Sequence, residues 1–83
     1  MEENTHKVIL HNDNKNSFPY VMACLIRFCE HDHTQAEQCA LLVHLNGKCA
    51  IKHGNYLEML EISESLNNLD LKSSVETHES YMH

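Results

Sequence analysis

Two short polar clusters, set apart by helical sequence, constrain the fold of this chain more than any other feature. Asn12-Asp13-Asn14 closes the apolar, β-branched run Val8-Ile9-Leu10, so a strand must end in a turn there. Val43-His44-Leu45-Asn46-Gly47-Lys48 ends a helical pattern, and Gly47 supplies the left-handed residue that stops a helix. Whatever lies between must leave one strand, build helix and return to a second strand.

The intervening sequence predicts two helices. Ser17 or Phe18 opens the first, with Pro19 tolerated in its first turn. Tyr20, Val21, Cys24, Leu25 and Phe28 then recur at i, i+1, i+4, i+5 and i+8 as one apolar face. His31-Asp32-His33 interrupts the pattern. Thr34-Gln-Ala-Glu37 fits a capping box for the second helix, which continues through Ala36, Cys39, Ala40 and Val43. Lys48 to His53 reads as a second strand, and Gly54-Asn55 turns into a third helix. There Met59, Ile62, Leu66 and Leu69 repeat at i, i+3, i+7 and i+10. A last strand, about Lys72 to Thr77, completes the set.

The order β-α-α-β-α-β predicts an α+β domain, with three helices packed on a three-stranded, mainly antiparallel sheet. The core is expected over residues 6–77, with short loose tails at 1–5 and 78–83. Eighty-three residues make a single domain with one small core.

Charge narrows the partners. The formal charge is −6, from 12 acidic and 6 basic residues with the eight histidines neutral. Nucleic acid would demand a basic face to displace counterions from phosphates; none is expected here. No apolar stretch approaches the length of a membrane span, and the acidic start Met1-Glu-Glu-Asn-Thr does not read as a secretory signal. Cys24, Cys29, Cys39 and Cys49 each sit within or beside an apolar pattern, where free cysteine behaves as a small buried hydrophobe. A reduced, cytoplasmic protein is the expectation.

Asn12, Asp13 and a neutral His44 can all accept hydrogen bonds. Brought together beside an apolar hole, they would suit an ammonium group attached to a hydrophobic side chain. Taken alone, Asn12-Asp13 equally fits a strand-ending turn, and His44 fits a helix-end histidine that meets the last carbonyls.

Lys7-Val-Ile-Leu-His-Asn-Asp-Asn14, the two-helix middle and Val43-His44-Leu-Asn-Gly-Lys48 together resemble ClpS, the adaptor family of Clp-type proteases. The likeness runs from about Lys7 to about Glu76. It implies the same three-helix, three-strand arrangement and a non-enzymatic protein that binds bulky hydrophobic N-terminal residues (N-degrons) of substrate proteins. Such an adaptor delivers them to a Clp-type AAA+ unfoldase, ClpA- or ClpC-like, as a monomer and without a cofactor. The resemblance assigns Asn12 and His44 to the α-amino group and Asp13 to a supporting role. It places Leu10, Asn16, Phe18, Val21, Ala40 and Val43 around the ligand side chain. Val21, Ala40 and Val43 also fit ordinary core positions on their helices. Relatives commonly carry methionine where Phe18 and Ala40 stand; Ala40 should leave more room at the pocket floor.

Two other readings compete. Cys29-Glu-His31-Asp-His33, with Cys39 nearby, offers soft ligands and imidazoles for a structural zinc, but the usual paired spacing is missing. These histidines otherwise read as solvated helix ends. A plain interaction module like the C-terminal domain of the ribosomal stalk protein shares the architecture and would show no preference for free N-termini. An enzyme is not expected, because no oriented third group or Gly-rich oxyanion turn accompanies cysteine and histidine.

Overall fold

The computed structural model describes residues 5–77; the tail expected at 78–83 and all but the last residue of the one at 1–5 lie outside them. The elements run β1 (His6–His11), α1 (Phe18–Cys29), α2 (His33–Asn46), β2 (Lys48–Gly54), α3 (Tyr56–Asn68) and β3 (Lys72–Thr77). This is the α+β order expected from the sequence. No helix among the described residues is long and apolar enough to cross a membrane.

The first strand is the central one. The sheet order is β2-β1-β3, and both pairings are antiparallel. Val8 and Leu10 project to the same face of β1 and are fully buried. They meet Cys24 and Leu25 of α1, Ala36 and Val43 of α2, and Met59 and Leu66 of α3 in one core. All three helices therefore pack on that face.

Helix boundaries follow side-chain caps. Ser17 accepts from the Tyr20 amide to start α1, and Asn55 from the Glu58 amide to start α3. The capping box expected at Thr34 and Glu37 is corrected by the structure. The N-cap is Asp32, whose carboxylate accepts from the Gln35 amide at 2.7 Å. A carboxylate at the positive end of a helix is a stronger acceptor than a hydroxyl, so α2 begins at His33 and Thr34 lies inside it. Gly47, at φ 90°, ends α2 as expected.

His31 is a second correction. It is not a solvated helix end but 5 % exposed. The register between β1 and β2 shifts between Val8 and Ile9, with Val8 opposite Lys52 and Ile9 opposite Ala50. Ile51 is thus the extra residue of a bulge, and its carbonyl accepts from His31 Nε2 at 2.7 Å. A carbonyl only accepts, so His31 Nε2 carries a proton and donates it; Nδ1 is buried without a partner. The loop between α1 and α2 is pinned to the sheet through this bond.

Candidate functional site

The two polar clusters meet. β1 runs out at His11, and the Asn12 N–H then donates to the Gly47 carbonyl at 2.8 Å. That bond sets the loop after β1 against the turn that ends α2, one helical turn beyond His44. Between them opens a cavity of about 420 Å³.

All nine residues singled out from the sequence line it: Leu10, Asn12, Asp13, Asn16, Phe18, Val21, Ala40, Val43 and His44. Leu10, Ala40 and Val43 are buried and form an apolar floor, while Asn12, His44 and Phe18, the last 39 % exposed, stand at the rim. Val21 and Asn16 are half-buried between the two levels. Phe18 holds its place because it is the first residue of α1, directly after the Ser17 cap.

The polar groups differ in how free they are. Asp13 is committed to its own loop. Its Oδ1 accepts from the Lys15 and Asn16 amides at 2.9 and 3.0 Å, and Oδ2 from Asn16 Nδ2 at 3.1 Å. Burial pushes the Asp13 carboxyl up, but the Asn16 and Lys15 hydrogen bonds and the Lys15 charge outweigh it and leave the pKa lowered. Asn16 Nδ2 also donates to the Asp70 carbonyl at 2.9 Å, which ties the loop to the turn before β3. By contrast, the side chains of Asn12 and His44 carry no hydrogen bond among the described residues. Both can accept hydrogen bonds, and both stand open at the mouth of an apolar hole.

Three lining residues escaped the sequence reading: His11, Asn14 and Leu71. Leu71 is 4 % exposed and enters from the step into β3, which pairs with β1 so that His11 lies opposite Lys72. Its signal was a lone apolar residue between Asp70 and Lys72, but the strand order needed to use that signal is not written locally. His11 is held by a 2.9 Å bond between Nε2 and Ser74 Oγ.

The zinc reading finds no assembled site. Among the described residues no three His, Cys, Asp or Glu side chains gather as a metal-holding group. His31 is turned to the Ile51 carbonyl, and Cys29 is buried in the core.

Comparison with known proteins shows the family and the fold. The family model of the ATP-dependent Clp protease adaptor protein ClpS matches residues 1–76. The chain belongs to the ClpS family, and as a ClpS protein it is a non-catalytic adaptor of the Clp proteolytic system. No curated protein matches it by sequence. Among solved structures, Agrobacterium tumefaciens ClpS2 bound to L-phenylalaninamide superposes with a TM-score of 0.85 at 14 % identity. The match covers 92 % of this chain and 100 % of that one. At that identity the likeness speaks for the fold.

Proposed function

We propose that the cavity seats the first residue of a substrate protein, and that the chain carries such proteins to a ClpA- or ClpC-like unfoldase as a cytoplasmic monomer. The observation that carries this reading is the pairing of unpartnered acceptors with a buried apolar floor in one cavity. Asn12 and neutral His44 accept from the α-ammonium. Asp13 supplies negative charge nearby and holds the loop that presents Asn12. The side chain of residue one fills the space over Leu10, Ala40 and Val43, with Phe18 and Val21 as walls. The related fold of A. tumefaciens ClpS2 binds L-phenylalaninamide, a free amine on a bulky aromatic residue, which supports the same use of this cavity.

Magnitudes suit the role. Burying a Phe or Leu side chain stabilises by about 1.5–3 kcal/mol, and each hydrogen bond to a charged group by about 1.5–3 kcal/mol. Two or three such bonds, less the cost of ordering the peptide, give roughly micromolar affinity, near −8 kcal/mol.

Fluorescence anisotropy with labelled peptides differing only in residue one tests the proposal. Phe and Leu should bind; Lys and acetylated Phe should not, and Val should bind weakly at the Phe18 wall. Asn12→Ala or His44→Ala should abolish Phe binding. Equal affinity for all peptides would leave a ClpS fold without N-terminal recognition.

A further inference from the structure

A second cavity, of about 500 Å³, opens beside the candidate site. Asn12, Asp13, Asn14 and Leu71 line both, so one short wall divides them. The end of α3 and the turn into β3 close the far side. No function described so far uses this space.

Four charged side chains line the second cavity, and their partners decide which of them is open to a ligand. Asp13 is spent on the Lys15 and Asn16 amides and on the Asn16 side chain. Lys15 and Asp70 pair with each other at 3.3 Å. Lys72, exposed at the start of β3, makes no ion pair and no side-chain hydrogen bond among the described residues. Asn67 turns its amide oxygen to the Ser73 N–H and hydroxyl at 2.9 and 3.0 Å, which leaves its Nδ2 to donate elsewhere. The open groups are thus a cation and an amide donor, in a chain whose formal charge is −6.

We infer that the second cavity takes the acidic side chain of the second or third residue of a bound peptide, with Lys72 as its counter-ion. The inference rests on the reading that residue one fills the neighbouring cavity. An extended chain advances by about 3.3–3.6 Å per residue. With the α-ammonium at Asn12, residues two and three lie one or two such steps from the shared wall. A carboxylate carried over that wall meets the Lys72 ammonium and the Asn67 amide. A lysine in its place meets Lys72 as a like charge, while both carboxylates of the cavity already have partners. The favoured substrate therefore has a bulky hydrophobic first residue followed closely by Asp or Glu.

The test is anisotropy with the full chain and labelled peptides that begin Phe-Ser-Ser. Glu at position two or three should tighten binding by about three- to fivefold at low salt. The same charge moved to position seven should give no gain, and Lys at position two should weaken binding. Added salt should shrink the gain, because the pair is exposed. Lys72→Gln should bring the Glu-to-Ser affinity ratio close to one. Asp70→Asn, which suits the left-handed backbone at φ 74°, frees the Lys15 charge and should enlarge the ratio. A Phe-Ser-Ser peptide that binds equally well with and without Glu, or a ratio that Lys72→Gln leaves unmoved, would overturn the inference while the first cavity keeps its role. Equal binding of free and acetylated Phe peptides would overturn both.

Discussion

The amide of Asn12 and the carbonyl of Gly47 meet at 2.8 Å, and this contact joins the end of the central strand to the end of the second helix. Each partner is placed by a separate local rule. Asn12 follows the last paired residue of β1, His11, and Gly47 is the left-handed stop of α2. The side chain of Asn12 and that of His44 are thereby carried to one rim.

Gly47→Ala tests that joint. A Cβ at Gly47 would meet nothing within 4 Å, so any penalty comes from the backbone at φ 90° and not from a clash. Urea unfolding should show a loss of about 1–2 kcal/mol, with weaker binding of a Phe-initiated peptide. Unchanged stability together with unchanged affinity would show that the turn does not hold the rim.

Asp13 gives the loop an acid limit. Its pKa is lowered in the folded chain, so its hydrogen bonds favour the fold above the unfolded-state pKa. That contribution fades as pH falls through the lower folded value. In an NMR pH titration, the Lys15 and Asn16 amides should shift together below the ordinary carboxylate range. Asp13→Asn should remove this transition and weaken the loop at neutral pH. A midpoint above 4 would contradict the hydrogen bonding described.

Ala40→Met should narrow the cavity floor. Ala40 is 3 % exposed and faces the hole beside Val43, so the longer side chain takes space that a large first residue would fill. Trp-initiated peptides should lose affinity relative to Leu-initiated ones by several-fold, since crowding costs of about 1 kcal/mol are common. An unchanged Trp-to-Leu ratio in anisotropy would place Ala40 outside the ligand's reach.

Removing the His31 ring strands the Ile51 carbonyl. His31→Ala should destabilise by about 1–3 kcal/mol, measured by denaturant unfolding. His33→Ala, at an exposed position, should stay within about 0.5 kcal/mol of the parent. Equal effects of the two changes would contradict the burial of His31.

What could be read from the chain was whatever local rules decide. The bounds of β1 follow from a β-branched run ending in turn residues, and Ser17 with Pro19 announces α1. The start of α2 was displaced because Asp32 and Thr34 both lead plausible caps, and only geometry shows that the carboxylate wins. His31 looked solvated because it lies between polar residues; the bulge at Ile51 that receives it is a property of strand register. The candidate site divides the same way. Asn12, Asp13 and His44 stand in polar motifs with their own signature, the six apolar-pocket positions come from the ClpS resemblance, and all nine line one cavity. Leu71 and His11 enter through the pairing of β3 with β1, which no local pattern encodes.

That pairing has a consequence for assembly. β1 is the first strand in the chain, and it accepts partners on both edges, the last of them at Lys72–Thr77. The cavity wall at Leu71 and the brace from Asn16 to the Asp70 carbonyl come from the same late segment. Long-range pairings of this kind form late and slowly in folding. A chain still emerging from the ribosome, or one clipped before β3, therefore has β1 with one edge bare and the cavity without a side. The sheet and the candidate cavity are completed by the same segment.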